Sequence, residues 1–114
     1  MTKKVYLLDE MTPRRGMWDT CRDAYINEYA PGAKSRGMVL EQVWATPPFP
    51  LHETTGLNSL MFLWSVGSTA EYWQMRLQAE AEKEEFWGRV VSMTVARHRS
   101  VLSELSDFEA YSRV

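Results

Sequence analysis

Cysteine is nearly missing from this chain: Cys21 stands alone among 114 residues. That excludes an internal disulfide framework and any cysteine-rich zinc site. Histidine is almost as scarce, with His52 and His98 alone, and the scattered carboxylates do not complete a metal-ligand spacing around either. No excess of positive charge exists either, since 13 Lys and Arg face 15 Asp and Glu for a net charge of −2. The basic clusters Lys3-Lys4, Arg14-Arg15 and Arg97-His98-Arg99 are short and separated, which argues against a phosphate-tracking stripe and a nucleic-acid partner. The longest uncharged stretches are broken by Ser, Thr, Asn and Gly and fall short of the roughly 20 apolar residues that span a bilayer. The first apolar run, Val5 to Leu8, ends at Asp9-Glu10 and is too short for a secretory signal. A P-loop, a G-x-G-x-x-G turn, a G-x-S-x-G elbow and an H-E-x-x-H pair are all absent. The expectation is a soluble cytoplasmic protein with no membrane or nucleic-acid partner and no cofactor.

What is present suits one globular domain over 1–114, with 45% apolar and 25% charged residues. Val5-Tyr6-Leu7-Leu8 reads as a strand. From Gly16 the apolar positions Trp18, Cys21, Tyr25, Ile26 and Tyr29 recur at helical spacing. Ala30-Pro31-Gly32 is expected to stop that helix. Met38 to Ala45 reads as a buried strand, and a Pro-rich loop through His52 leads to a second strand, Asn58 to Val66, apolar on both faces. Ser68-Thr69-Ala70-Glu71 is a capping box that opens a long helix through Trp73, Met75, Leu77 and Phe86. Gly88 is a candidate break, Val90, Val91, Thr94 and Val95 fit helix or strand, and the last strand is expected near His98 to Leu105.

The order β-α-β-β-α-β is the ferredoxin-like α+β plan, a four-stranded antiparallel sheet with both helices on one face. Its other face would carry apolar side chains with nothing to cover them, so pairing of two sheets in a homodimer is expected. Tyr6-Leu7-Leu8 followed by Pro13 and Gly16, then Thr55-Gly56-Leu57-Asn58 leading into Leu63-Trp64, resembles the NIPSNAP-like branch of the dimeric α/β-barrel proteins. The chain departs from that pattern on strand one, with Leu7 and Asp9 where the family commonly has an acidic residue and an Arg. The resemblance implies a dimeric barrel with a ligand cleft between sheet and helices. Its relatives include cofactor-free monooxygenases, haem-degrading enzymes, lyases and isomerases.

The remaining chemistry is acid–base work in an apolar pocket. His52 suits a general base, or is a surface loop histidine. Glu41, in the middle of an apolar strand, is costly to bury unless paired or protonated, which suits an acid or base, or an interface ion pair with Arg97 or Arg99. Asp9 and Glu10 pose the same choice at the end of strand one; Asp9 shares parity with Val5 and Leu7, and one of the two should face inward. His98 between two arginines suits an anion or carbonyl site, or a polar strand edge. Fourteen aromatics suit a flat ligand: Tyr6, Tyr25, Tyr29 and Tyr72 as phenolic donors, Trp64 as a wall or as core, and Arg97 steadying an oxyanion. The expected activity is isomerase, lyase or cyclase chemistry on a hydrophobic, oxygenated, aromatic or polycyclic substrate. The alternatives are cofactor-free oxygenation of a phenol or quinol, and non-catalytic ligand binding. Haem binding would have only His52 and His98 as strong axial ligands.

Overall fold

Alternation along the first strand organises the whole molecule. In the computed structural model, which describes residues 4–46 and 58–106 with the side chains of 79–85 outside the description, β1 (Val5–Pro13) buries every second residue. Leu7, Asp9 and Met11 face the helices, and Tyr6, Leu8 and Glu10 face the other way. β1 is central. It pairs antiparallel with β3 (Ser59–Val66) on one side and β4 (Thr94–Leu102) on the other, while β2 (Val39–Thr46) pairs outside β3. The sheet order is β2-β3-β1-β4, the ferredoxin-like α+β arrangement.

The core lies between this sheet and the helices. Leu60, Phe62, Trp64 and Val66 of β3 continue the buried layer of β1, and Tyr72, Met75, Phe86 and Val90 close it from α3 (Thr69–Met93). Those α3 positions recur every three to four residues, one stripe of a helix. Trp73 and Leu77, read from sequence as part of the same run, are instead 59% and 78% exposed. Each lies off the stripe, one position after Tyr72 and two after Met75, about 100° of helix rotation per residue. The capping box holds in its hydroxyl half, with Ser68 Oγ accepting from the Glu71 amide at 3.2 Å.

Four expectations need correcting. First, Ala30-Pro31-Gly32 does not stop the first helix. α1 (Trp18–Ala24) passes into a π-helical turn (Tyr25–Tyr29) and continues as α2 (Ala30–Ser35). The Ala30 amide reaches back five residues to the Tyr25 carbonyl, so Pro31 begins a fresh first turn, where its missing N–H goes unneeded. The real stop is Gly37 at φ +91°, with Gly37 N donating to Lys34 O and Met38 N to Ala33 O, both at 3.1 Å. Second, β2 is not a buried strand. It is the sheet edge, and Val39, Val43 and Trp44 are exposed. Third, Gly88 does not break α3, because helical packing of Phe86 and Val90 carries the chain across it. Fourth, the last strand starts at Thr94 rather than near His98, and Thr94 Oγ1 donates to the Val90 carbonyl at 2.9 Å to close the helix end. The Pro-rich loop and the Thr55-Gly56-Leu57 motif lie outside the described residues. Among the described residues no helix is long and apolar enough to cross a membrane.

The two glycines predict opposite responses. Gly37→Ala forces a Cβ into the left-handed region and should lower stability by about 1 kcal/mol or more. Gly88 sits in an exposed helix interior with open space where a Cβ would stand, so Gly88→Ala should raise stability by about 0.5–1 kcal/mol. Urea unfolding at one fixed protein concentration checks both; shifts of the same sign would contradict the helix boundaries.

Candidate functional site

Strand register puts a carboxylate where a core residue would otherwise stand. Asp9 lies between Leu7 and Met11 on the buried parity of β1, opposite Phe62 on one side and Arg99 on the other. Arg99 answers it with two parallel bonds, Nε to Oδ1 at 2.5 Å and Nη2 to Oδ2 at 2.7 Å. This bidentate geometry is the strong form of an Arg–carboxylate pair. The π-helical turn then adds two phenols. Tyr25 donates its hydroxyl to Asp9 Oδ2 at 2.6 Å and accepts from Trp64 Nε1 at 2.6 Å. The second Nη2 hydrogen of Arg99 is given to the Tyr29 hydroxyl at 2.6 Å.

Aromatic packing holds these polar groups in place. Tyr25 stacks on Phe62 at 3.7 Å between ring centroids, and Tyr29 lies 4.9 Å from Tyr25 and 5.3 Å from Trp87. The Arg99 guanidinium lies over both Tyr29 and Trp87, at 5.6 and 5.7 Å. Burial, then the neighbouring Asp9 charge, pushes the Tyr25 phenol well above its ordinary value. Burial alone would lower Arg99, but its bonds to Asp9 and Tyr29 outweigh that and hold it firmly charged.

The network comes to the surface at one point. The Asp9 side chain is 2% exposed and that of Arg99 is 23%. Arg99 has five N–H donors, three of them committed to Asp9 and Tyr29. Both hydrogens of Nη1 remain, with no hydrogen bond among the described residues. The Tyr29 hydroxyl accepts from Arg99, which leaves its own hydrogen available to donate. The arrangement can therefore present a fixed positive fork and a phenol to an incoming oxygen.

Of the residues singled out from sequence, Asp9, Tyr25, Tyr29 and Trp64 meet here, with Arg97 at the margin, its guanidinium 4.4 Å from the Trp87 ring centre. The others do not join them. Glu41 is the extra residue of a bulge, unpaired between Leu40 and Gln42, and it lies on the helix-free face. There it accepts from Ser65 Oγ at 2.6 Å and pairs with Lys4 at 3.7 Å, not with Arg97 or Arg99. His98 is also on that face, opposite Glu10, because alternation sends it away from Arg97 and Arg99; the three do not form one anion site. Tyr6 shares that face. Tyr72 stands at the far end of the core, accepting from Arg76, beside a small cleft of about 290 Å³ lined by Val5, Thr69, Trp73 and Leu102. His52 lies outside the described residues. Sequence reasoning missed Arg99 as the centre and Trp87 as its platform. The signal was a buried-parity Asp9, which demands a cation directly across an antiparallel pair. Among the described residues no cluster of His, Cys, Asp and Glu forms a metal site.

No protein-family model and no curated protein matches the chain. Solved structures do. A NIPSNAP family protein from Agrobacterium tumefaciens superposes with a TM-score of 0.64 at 13% identity, covering 87% of this chain and 90% of that one. A Nitrosomonas europaea protein named for antibiotic biosynthesis monooxygenase gives 0.65 at 7% identity, over 92% and 93%. A dimeric ferredoxin-like protein from an uncultured marine organism gives 0.57 at 11%, over 91% of each. In fold, the chain stands with the NIPSNAP-like, ferredoxin-like proteins.

Two outcomes follow from the network. Asp9→Asn or Arg99→Met each leaves a buried group without its partner and should cost about 3 kcal/mol or more, while the double variant should cost clearly less than the sum; a double-mutant cycle in urea reads this directly. The raised Tyr25 also makes stability fall on the alkaline side. The folded state keeps this proton after the unfolded chain has lost it near pH 10, so the contribution is complete below that pH and declines above it. Tyr25→Phe should flatten the decline between pH 9.5 and about 11 in midpoint measurements.

Proposed function

We propose that this protein acts as a homodimer on a hydrophobic, oxygenated aromatic molecule held between its sheet and helices, by acid–base chemistry without a resident cofactor. One observation carries the reading: a largely buried Asp9–Arg99–Tyr25–Tyr29 network whose remaining donors are the Nη1 hydrogens of Arg99 and the Tyr29 hydroxyl. Fixed donors of this kind stabilise an enolate or phenolate oxygen as charge develops. In this role Asp9 is a positioning residue, since its oxygens are already held by Arg99 and Tyr25.

The base assigned here is His52. It is the general-base candidate of the sequence and lies outside the described residues. Removal of a proton beside a carbonyl then gives an enolate oriented by Arg99 and Tyr29, the common step of isomerisation, elimination and cyclisation. The dimer is supported by the helix-free face, where half-buried Leu8, Met61 and Leu63 sit between exposed Val39, Trp44 and Leu102. Likeness to a dimeric ferredoxin-like fold supports the same reading. An oxygen-using variant, in which the site holds a phenolate for attack on O2, is favoured by likeness to the Nitrosomonas monooxygenase-named protein.

Native mass spectrometry of freshly purified protein should give a dimer carrying a small hydrophobic adduct. With the released molecule as substrate in deuterated water, label should enter beside the carbonyl and be lost in His52→Gln. Oxygen consumption instead would assign the oxygenase variant, and a bound molecule unchanged in either assay would leave a binding dimer. A clean monomer would overturn the assembly.

A further inference from the structure

Arg97 has a feature that the proposed chemistry does not use. It shares the helix-side parity of β4 with Arg99, two residues away, which places the two side chains about 7 Å apart along the strand. Both guanidinium groups contact the same indole, Arg97 at 4.4 Å and Arg99 at 5.7 Å from the Trp87 ring centre. Their charges are handled differently. Arg99 is offset by Asp9, whereas Arg97 contacts only that ring and meets no carboxylate among the described residues.

A guanidinium stacked on an indole has already lost much of its rotamer freedom, so a charge-assisted bond made there costs less ordering. The surroundings are flat and apolar, with Trp87, Phe86 and Tyr29 within 5.5 Å of one another ring to ring. Of the two cations on Trp87, Arg97 is the one with no countercharge among the described residues. We infer that the ligand of this site is a planar organic monoanion, an arene carboxylate, with Arg97 as the residue that selects its charge. This rests on the small-molecule reading of the Arg99 site and adds the class of compound that enters it. In that picture the carboxylate lies against Arg97, the ring lies along the half-exposed edge of Trp87, and a second oxygen on the ring reaches Arg99 Nη1.

The test compares 2-naphthoate with its neutral isostere 2-naphthamide by isothermal titration calorimetry. The unmodified protein should bind naphthoate at least about tenfold more tightly, the usual worth of a charge-assisted bond over a neutral one. Raising salt should erode that margin. Arg97 is exposed, so Arg97→Gln should fold normally by circular dichroism. It should weaken naphthoate far more than naphthamide and so bring the two affinities to near parity, and Arg97→Lys should restore part of the preference. Equal affinities in the unmodified protein would overturn the charge assignment while leaving the pocket reading intact. A preference that persists in Arg97→Gln would overturn the role of Arg97. Failure of both compounds to bind at millimolar concentration would overturn the pocket reading itself, and this inference with it.

Discussion

The ion pair between Asp9 and Arg99 constrains everything around it. A carboxylate with 2% of its side chain exposed carries a desolvation cost of several kcal/mol, recovered only with a well-placed countercharge and with its remaining lone pairs filled. The strand register supplies the countercharge, since Asp9 and Arg99 are direct antiparallel partners. Filling the lone pairs falls to the helix. Tyr25 has to reach Asp9 while Tyr29, four residues on, reaches the outer edge of Arg99. Both phenols lie on the π-helical turn, a geometry uncommon enough to mark functional sites elsewhere. The wide turn also leaves Pro31 at a position where a helix tolerates proline. Register, π turn and proline thus serve one buried charge pair.

The sheet separates two kinds of surface. Its helix side holds the charged network and most of the core. Its other side carries Tyr6, Leu8, Met61 and Leu63 beside polar groups satisfied locally, such as Glu41 with Ser65 and Lys4. The division follows from a strand period of two: Arg99 and His98 are neighbours in sequence, yet one is bound to Asp9 and the other stands across from Glu10 on the opposite face. A sequence triplet such as Arg97-His98-Arg99 is therefore split by the pleat into two arginines at the site and one histidine away from it.

The same division decides what the sequence alone makes legible. Element order, the α+β plan, the Ser68 cap and the inward parity of Asp9 or Glu10 rest on local pattern, and local pattern survives folding. The core role of Trp64 was legible for the same reason, because it alternates with Phe62 and Leu60. The partner of each charge was not. Glu41 was matched with Arg97 or Arg99, but a one-residue bulge between Leu40 and Gln42 turned it toward Ser65. A bulge has no strong sequence mark when neither residue is glycine. Likewise the Ala30-Pro31-Gly32 stop is a sound local signal overridden by packing of Tyr25, Tyr29 and Ala33. Trp87 escaped notice because a long helix has several faces, and the face toward Arg97 and Arg99 is set by where β4 lies.

The same accounting of donors limits what the site can accept. Asp9 has both oxygens engaged, Tyr25 both donates and accepts, and Trp64 has given its single N–H. Three of the four acceptor positions of Asp9 are filled, and the unused hydrogens of this set are two on Arg99 Nη1 and one on Tyr29. A donor brought to the Arg99 edge meets a cation that has no acceptor. A ligand that brings an electron-rich oxygen meets a fork already fixed by Asp9 and by the rings of Tyr29 and Trp87. Little reorganisation then accompanies the growth of negative charge on that oxygen. In the function proposed above, the buried carboxylate contributes without touching a ligand. It holds Arg99 charged and oriented, and that orientation determines which edge of the guanidinium faces outward.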